Sequence, residues 1–236
     1  MKYKKVVEGI FLKRPNRFIA QVLIDGQEET VHVKNTGRCR ELLIPGVKVL
    51  LEDGRDNPNR KTKYSLISVW KGDMLINMDS QAPNAAAFTA IKENRVKEIQ
   101  SLTHLKREVT FGKSRFDLYF ETLNNGTLQK GFIEVKGVTL ENEGICMFPD
   151  APTERGTKHV LEMVEAVKQG YRGILLFVIQ MKGPNLFKLN WEMDRAFSQA
   201  VQFASENGVE VLAYDAVIEK DEIILGDRVD IDYRPQ

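Results

Sequence analysis

With 236 residues, 42% of them hydrophobic and 28% charged, the chain has the composition of an ordinary folded protein and room for one large domain or two modest ones. No run of roughly 18 residues is apolar and uncharged enough to span a membrane, and the basic start at Met1-Lys2-Tyr3-Lys4-Lys5 leads into no apolar segment with a small-residue cleavage site, so a soluble, cytoplasmic protein is expected. The formal net charge of +1 conceals an imbalance: residues 1–81 hold 15 Lys+Arg against 10 Asp+Glu, and residues 82–236 hold 19 against 23, which suggests a basic binding module joined to an acidic part that either repels phosphate or holds cations, with a chance imbalance as the plainer reading.

Residues 6–12, 17–24, 29–34, 47–52, 63–70 and 74–78 read as short strands. Asp25-Gly26 is a favoured hairpin dipeptide, Pro45-Gly46 and Asp56-Asn57-Pro58-Asn59 are loop sequences, and Gly72-Asp73 closes a last hairpin. Five or six short strands with no helical pattern between them predict a small barrel of the oligonucleotide-binding (OB) type over residues 1–81. Its loops are basic: Arg14 and Arg17 flank Pro15-Asn16, Lys34 and Arg38 flank Asn35-Thr36-Gly37, and Arg60 lies beside Lys61. These six are candidate contacts to nucleic-acid phosphates, and Phe18 is a candidate to stack on bases or to fill the core.

After Ala82-Pro83 the texture changes. Asn84 can cap a helix over residues 85–93, and strands follow at 105–111, 114–121 and 131–138, separated by the turns Gly112-Lys113 and Asn124-Asn125-Gly126. A helix over 155–169 stops at Gly170, and the continuous apolar run 173–179 predicts a central strand buried on both faces. A further helix over 193–206, a strand over 209–213 and a hairpin around Lys220-Asp221 complete a mixed α/β second part, residues 82–236, built as a sheet flanked by helices.

Strand alternation in Ser114-Arg115-Phe116-Asp117-Leu118-Tyr119-Phe120-Glu121 puts Phe116, Leu118 and Phe120 on one face and Arg115, Asp117 and Tyr119 on the other. In Ile133-Glu134-Val135-Lys136 the same period sets Glu134 beside Lys136, opposite Ile133 and Val135. Pairing the two strands as a hairpin brings Asp117 and Glu134 within reach of one cation. Two carboxylates suit Mg²⁺ or Mn²⁺, hard ions that take oxygen ligands. Lys136 beside that ion can orient the attacking water and offset charge growing on a phosphate. Set against this is the plainer reading of Glu134 and Lys136 as a surface ion pair worth about 0 to 1 kcal/mol. Glu98 and Glu108 are supplementary ligand candidates, though for each a salt bridge or a solvated surface role is the favoured reading. Downstream, Asp150 or Thr153 can cap the helix that carries Arg155, Lys158 and His159, where free N–H groups favour a phosphate; an ordinary charged helix surface is the alternative. Cys39 and Cys146 lie too far apart in sequence to suggest a zinc cage or a disulfide framework, and both are expected reduced.

Residues 84–213 resemble the PD-(D/E)XK nuclease superfamily through Asp117 and Glu134-Val135-Lys136. A more specific resemblance covers almost the whole chain: Arg14-Pro15-Asn16-Arg17-Phe18, Asn35-Thr36-Gly37-Arg38, Glu41-Leu42-Leu43, Arg60-Lys61-Thr62, Ser114-Arg115-Phe116-Asp117, Glu134-Val135-Lys136 and Phe148-Pro149-Asp150-Ala151-Pro152-Thr153-Glu154-Arg155-Gly156 are similar to the sugar fermentation stimulation protein A family. That resemblance implies an OB barrel ahead of a nuclease-like domain, DNA binding with little sequence preference, and a role in the regulation of carbohydrate metabolism. It leaves open whether the chain cuts DNA or only binds it. A single site cutting both strands would favour a homodimer.

Overall fold

The computed structural model describes residues 1–35, 37 and 39–235. Its first part is a β-barrel of β1 (Val6–Asn16), β2 (Ile19–Ile24), β3 (Gln27–Val33), β4 (Lys48–Asp53) and β5 (Tyr64–Lys71), extended by β6 (Met74–Asn77). The sheet runs β3-β2-β1-β4-β5-β6, and a parallel β3–β5 pairing closes it. Alternation explains the fold: Ala20, Val22 and Ile24 of β2 and Val31 and Val33 of β3 point inward onto Phe11, Leu51 and Leu66, all buried. Gly9 has no room for a side chain because Val22 already lies 2.6 Å from where its Cβ would sit. The expected break at Pro15-Asn16 falls two residues later. There β1 continues through Asn16, whose side-chain oxygen accepts from the N–H groups of Phe18 and Ile19 and closes a tight Arg17-Phe18 turn.

The second part centres on a six-stranded sheet. Helix α1 (Ala82–Lys92) leads into β7 (Leu102–Phe111), β8 (Ser114–Asn124) and β9 (Thr127–Val138), then the short β10 (Leu140–Asn142) and β11 (Ile145–Phe148). Helix α2 (Glu154–Lys168), β12 (Arg172–Ile179), β13 (Leu186–Leu189), α3 (Arg195–Glu206), β14 (Val209–Ile218), β15 (Ile223–Arg228) and β16 (Asp230–Asp232) follow. The large sheet runs β15-β14-β12-β9-β8-β7, with β14, β12 and β9 parallel and the flanks antiparallel. β12 is central and buried on both faces, as its unbroken apolar run requires. Ile174, Leu176 and Val178 meet Ala87, Ala90 and Ile91 of α1 on one face. Leu175, Phe177 and Ile179 meet α2 and α3 residues, among them Val160, Val164, Phe197 and Val201, on the other. The expected mixed α/β class and layering hold.

Three sequence expectations need correction. Helix α1 starts at Ala82, not Ala85: Pro83 fits the first turn because no N–H is needed there, and Asp79 rather than Asn84 accepts from the Gln81 and Ala82 amides. Strands β10, β11, β13 and β16 were not anticipated, since three or four residues are too short to show a period. Phe116, Leu118 and Phe120 are all buried but not on one face: Phe116 packs tilted against Phe132, 5.2 Å between ring centroids, whereas Leu118 and Phe120 pack with Ile133.

The two parts share a continuous apolar core and a buried polar seam. Met1 and Tyr3 donate their backbone nitrogens to the Ile223 and Asp221 carbonyls, while the Tyr3 side chain packs on Leu50 and Ile67 and its hydroxyl accepts from Asn77, so the first residues tie the β14–β15 hairpin to the barrel. Gln180, at the end of β12, donates to Asn77 Oδ1 and the Asp79 carbonyl. Lys34 Nζ donates to Asp79 Oδ2 at 2.9 Å and to Glu52 at 3.2 Å. No described helix is long and apolar enough to cross a membrane.

Candidate active site

The seam ends at a cleft of about 220 Å³ whose lining includes Asp117, Glu134, Lys136, Asn84, Arg115 and Arg155. Its position follows from the hairpin of β8 and β9. Their ladder has its last registered pair at Leu118–Ile133, and one step further Asp117 reaches across to accept from the Val135 N–H at 2.8 Å. The other Asp117 oxygen accepts from Asn84 Nδ2 at 2.7 Å. Burial pushes the Asp117 carboxyl above the ordinary aspartate range; the nearby Glu134 charge adds to the rise, and the Val135 N–H, Lys136 and Asn84 oppose it.

Glu134 is 3% exposed. Its Oε1 accepts from Lys136 Nζ at 2.6 Å and lies 2.6 Å from His159 Nδ1. Its Oε2 is buried with no hydrogen-bond partner. A carboxylate oxygen left unpaired away from water is costly and uncommon, and it calls for a ligand. Gly137 follows directly, where Gln180 and Pro83 occupy the space that a Cβ would need, so the strand carrying Glu134 and Lys136 is clamped from the seam.

Helix α2 brings His159 and Arg155, one turn apart on the same face, to the other wall. Thr153 Oγ1 caps this helix by accepting from Gly156 N, while Asp194, which caps α3, also accepts from Thr153 N. The barrel forms the rim. Ser80 Oγ, on the cleft, donates to the Lys34 carbonyl, and Gly37 lies so close to Asp150 that a Cβ would sit 2.6 Å from its carboxylate.

The expected metal and lysine residues Asp117, Glu134 and Lys136 thus sit around one cleft, joined by His159, and Glu108 lines it as well. Glu98 lies elsewhere, accepting from the Tyr214 hydroxyl and pairing with Arg228. Among the described residues no three His, Cys, Asp or Glu side chains form a cage. Two carboxylates with room for water nevertheless match the way Mg²⁺ is commonly held.

The basic residues divide. Arg14 is turned inward, donating to the carbonyls of Arg17, Asn35 and Gly37. Lys34 is engaged with Asp79 and Glu52, and Arg60 donates to Ser65 Oγ and packs over Gly54. These three organise backbone and seam: Arg14 and Arg60 satisfy carbonyl and hydroxyl oxygens of the barrel, and Lys34 compensates the charge of the buried Asp79. Arg17, Lys61, Arg155 and Lys158 are exposed; Arg17 lies over the half-exposed Phe18 ring, 4.7 Å from its centroid, and Lys158 is 3.9 Å from Glu162. Arg38 lies outside the described residues. Sequence reasoning did not single out Asn84, Arg115 or Ser80 as site residues. For Arg115 the signal was present, since alternation places it with Asp117. For Asn84, more than thirty residues away on a helix, there was none.

Larger grooves lie elsewhere. One of about 640 Å³ is lined by residues such as Lys130, Gln169 and Tyr171, without a carboxylate. Another, about 690 Å³ at Trp70 and Leu75, has its Glu8 already paired with Lys220 and Asp73 as its other carboxylate, and a neighbouring one of about 240 Å³ shares that Glu8 and adds Asp25; neither sets two carboxylates beside a buried lysine. Chemistry rather than size selects the smaller cleft.

Comparison with known proteins agrees in extent with this architecture. Residues 12–78 match a model described as the SfsA N-terminal OB domain, and residues 81–222 one described as the sugar fermentation stimulation protein RE domain. The chain is 51% identical over 232 residues to a sugar fermentation stimulation protein homolog of Clostridium beijerinckii, covering 98% of this chain and 99% of that one. It is 49% identical over 233 residues to a homolog of Clostridium novyi, again covering 98% and 99%. A solved structure of Pyrococcus furiosus SfsA in complex with Ca²⁺ is similar with a TM-score of 0.87 and 27% identity over 98% of both chains.

Proposed function

The chain belongs to the sugar fermentation stimulation protein family, and from that premise we propose that it is a nucleic-acid-binding protein, acting on DNA, with a Mg²⁺- or Mn²⁺-dependent phosphodiesterase site at Asp117, Glu134 and Lys136. The observation that carries the reading is the buried, unpartnered Glu134 Oε2 beside Asp117 and Lys136. Hard carboxylate oxygens fit a divalent cation of this class, and the Ca²⁺ complex of the Pyrococcus furiosus relative lends support to divalent-cation binding here. Asp117 and Glu134 would hold the ion, which when bound supplies a lowered water pKa and stabilisation of charge on the phosphate.

The chain's own groups account for the rest. Asn84 and the Val135 N–H keep Asp117 oriented. His159 and Lys136 fix the Glu134 carboxylate, and the Lys136 ammonium adds positive charge where a pentavalent phosphate would develop negative charge. Arg155 and Arg115 at the mouth offer guanidinium forks to the substrate backbone. Exposed Arg17, Phe18 and Lys61 on the barrel extend the contact surface, with attraction that weakens steeply as salt rises. Both strands of a duplex would be cut by a homodimer carrying two sites, in the cytoplasm where such DNA resides.

Incubation of purified protein with plasmid and with single-stranded DNA, in Mg²⁺ or Mn²⁺, tests the reading. Cleavage should be lost in Asp117→Asn and Glu134→Gln, by about 10²-fold or more if each acts on the transition state. Undiminished cleavage by Asp117→Asn, or none by the wild type on any of these substrates, overturns it. A second reading is favoured by the lack of a third acidic ligand among the described residues: a non-catalytic DNA-binding regulator of sugar metabolism that retains the nuclease fold. It predicts retarded but intact DNA.

A further inference from the structure

Glu108 stands out among the cleft residues. It lies within β7, between the registered pairs Arg107–Leu118 and Val109–Phe116, the position that faces Asp117 across the ladder. Its φ is 54°, a left-handed conformation that a residue other than glycine rarely adopts inside a strand. Two like charges directly opposed in a ladder repel, and the carboxylate is instead found 3.6 Å from the Arg115 guanidinium, both side chains well exposed at 66% and 60%. Arg115 and Arg155 line the same cleft from β8 and α2, and neither has any other ion pair among the described residues. Backbone strain of this kind is kept where the surroundings hold it and is concentrated at functional sites.

We propose that Arg115 is a substrate-phosphate-binding residue of the cleft and that the Glu108 carboxylate is its resident placeholder, displaced when a nucleic-acid phosphate enters. A carboxylate and a phosphate offer a guanidinium the same pair of anionic oxygens. An exposed pair at 3.6 Å is weak enough to exchange. The inference deepens the nuclease reading by assigning Glu108 away from metal ligation and toward the anion site, and it concerns binding alone.

The test is a double-mutant cycle read by fluorescence anisotropy of a labelled single-stranded oligonucleotide in EDTA, so that no cleavage intervenes. Glu108→Gln should bind about two- to five-fold more tightly than wild type, the range that release of an exposed ion pair corresponds to. Arg115→Gln should bind more weakly, and adding Glu108→Gln to it should then change nothing. Glu165→Gln, on α2 and paired with Lys168 away from the cleft, controls for general loss of negative charge. An equal gain from Glu108→Gln with and without Arg115, an equal gain from Glu165→Gln, or unchanged binding by Arg115→Gln overturns the proposal. So does loss of Mn²⁺ binding by Glu108→Gln in calorimetry, which would make Glu108 a ligand. Failure of the wild type to cut DNA in Mg²⁺ removes the nuclease reading and leaves this cycle unaffected.

Discussion

Replacement of Lys34 by alanine separates two roles that a basic loop residue can have. If Lys34 gripped phosphate from solvent, its loss would weaken DNA binding and leave stability alone. In the structure its side chain is 18% exposed and lies against Asp79, which is fully buried, and Glu52. Burial acts to lower the Lys34 pKa, but the Asp79 hydrogen bond and charge, helped by Glu52, outweigh it and hold the ammonium above the ordinary lysine value. A raised pKa in the folded state means that the contribution is complete at neutral pH and fades only as pH climbs through that raised value. Removing one member of a buried pair costs about 3 to 5 kcal/mol. Asp79 keeps the Tyr3 hydroxyl at 3.4 Å and the Gln81 N–H, and Lys34 is partly solvated, so about 2 to 3 kcal/mol is expected. For a chain of this size that is a fall in Tm of roughly 5 to 10 °C, a sizeable share of an ordinary stability of about 5 to 15 kcal/mol. Urea and thermal unfolding measure it directly, and the Lys34→Ala, Asp79→Asn double variant should recover part of the loss. Lys61→Ala is the counterpart: exposed, it should unfold within about 0.5 kcal/mol of wild type and reduce the salt slope of oligonucleotide binding by about one. A Lys34→Ala protein with wild-type melting and a shallower salt slope would refute the assignment of Lys34 to the seam.

The raised Asp117 pKa makes a pH prediction for metal-free protein. Ionising a carboxyl whose folded pKa lies above its unfolded value costs folding free energy, so its contribution to stability declines as pH rises from the ordinary aspartate value through the raised one. In EDTA at neutral pH, Asp117→Asn should therefore melt above wild type, with the difference vanishing in acid; a variant that melts lower throughout contradicts the desolvation argument. Asn84 can turn its amide to accept from the new side chain, so the substitution need not strand a donor. Mg²⁺ or Mn²⁺ should stabilise the wild type as a native-state ligand, by about 2.7 kcal/mol at a hundredfold excess over Kd, and so raise its Tm, and should leave Glu134→Gln nearly unmoved. An identical shift in both proteins would place any ion elsewhere.

Much of the architecture was legible from local pattern. Asp25-Gly26 marked a hairpin, the apolar run of β12 marked a strand with no solvent face, and Thr153 was one of two residues expected to cap α2. Each of these signals lies within a few residues of what it specifies. The placement of Asp117, Glu134 and Lys136 around one cleft was anticipated from alternation and one hairpin, because the period of two decides which face a side chain takes.

Alternation does not say what stands opposite. Asn84 reads as a helix cap until β8 lies beside α1 and offers it the Asp117 carboxylate. Arg14 and Lys34 read as free basic residues until the barrel closes and the second part docks, which presents Arg14 with orphan carbonyls and Lys34 with a buried aspartate. Glu108 combines a backbone angle that its residue type does not favour with an ion pair to Arg115, and neither shows in the sequence. What the amino-acid order determined alone was periodicity, turn chemistry and charge bias, all short-range properties. Which polar groups are satisfied and which, like Glu134 Oε2, are left wanting a partner was decided by tertiary structure, since burial and pairing depend on residues brought together from distant points along the chain.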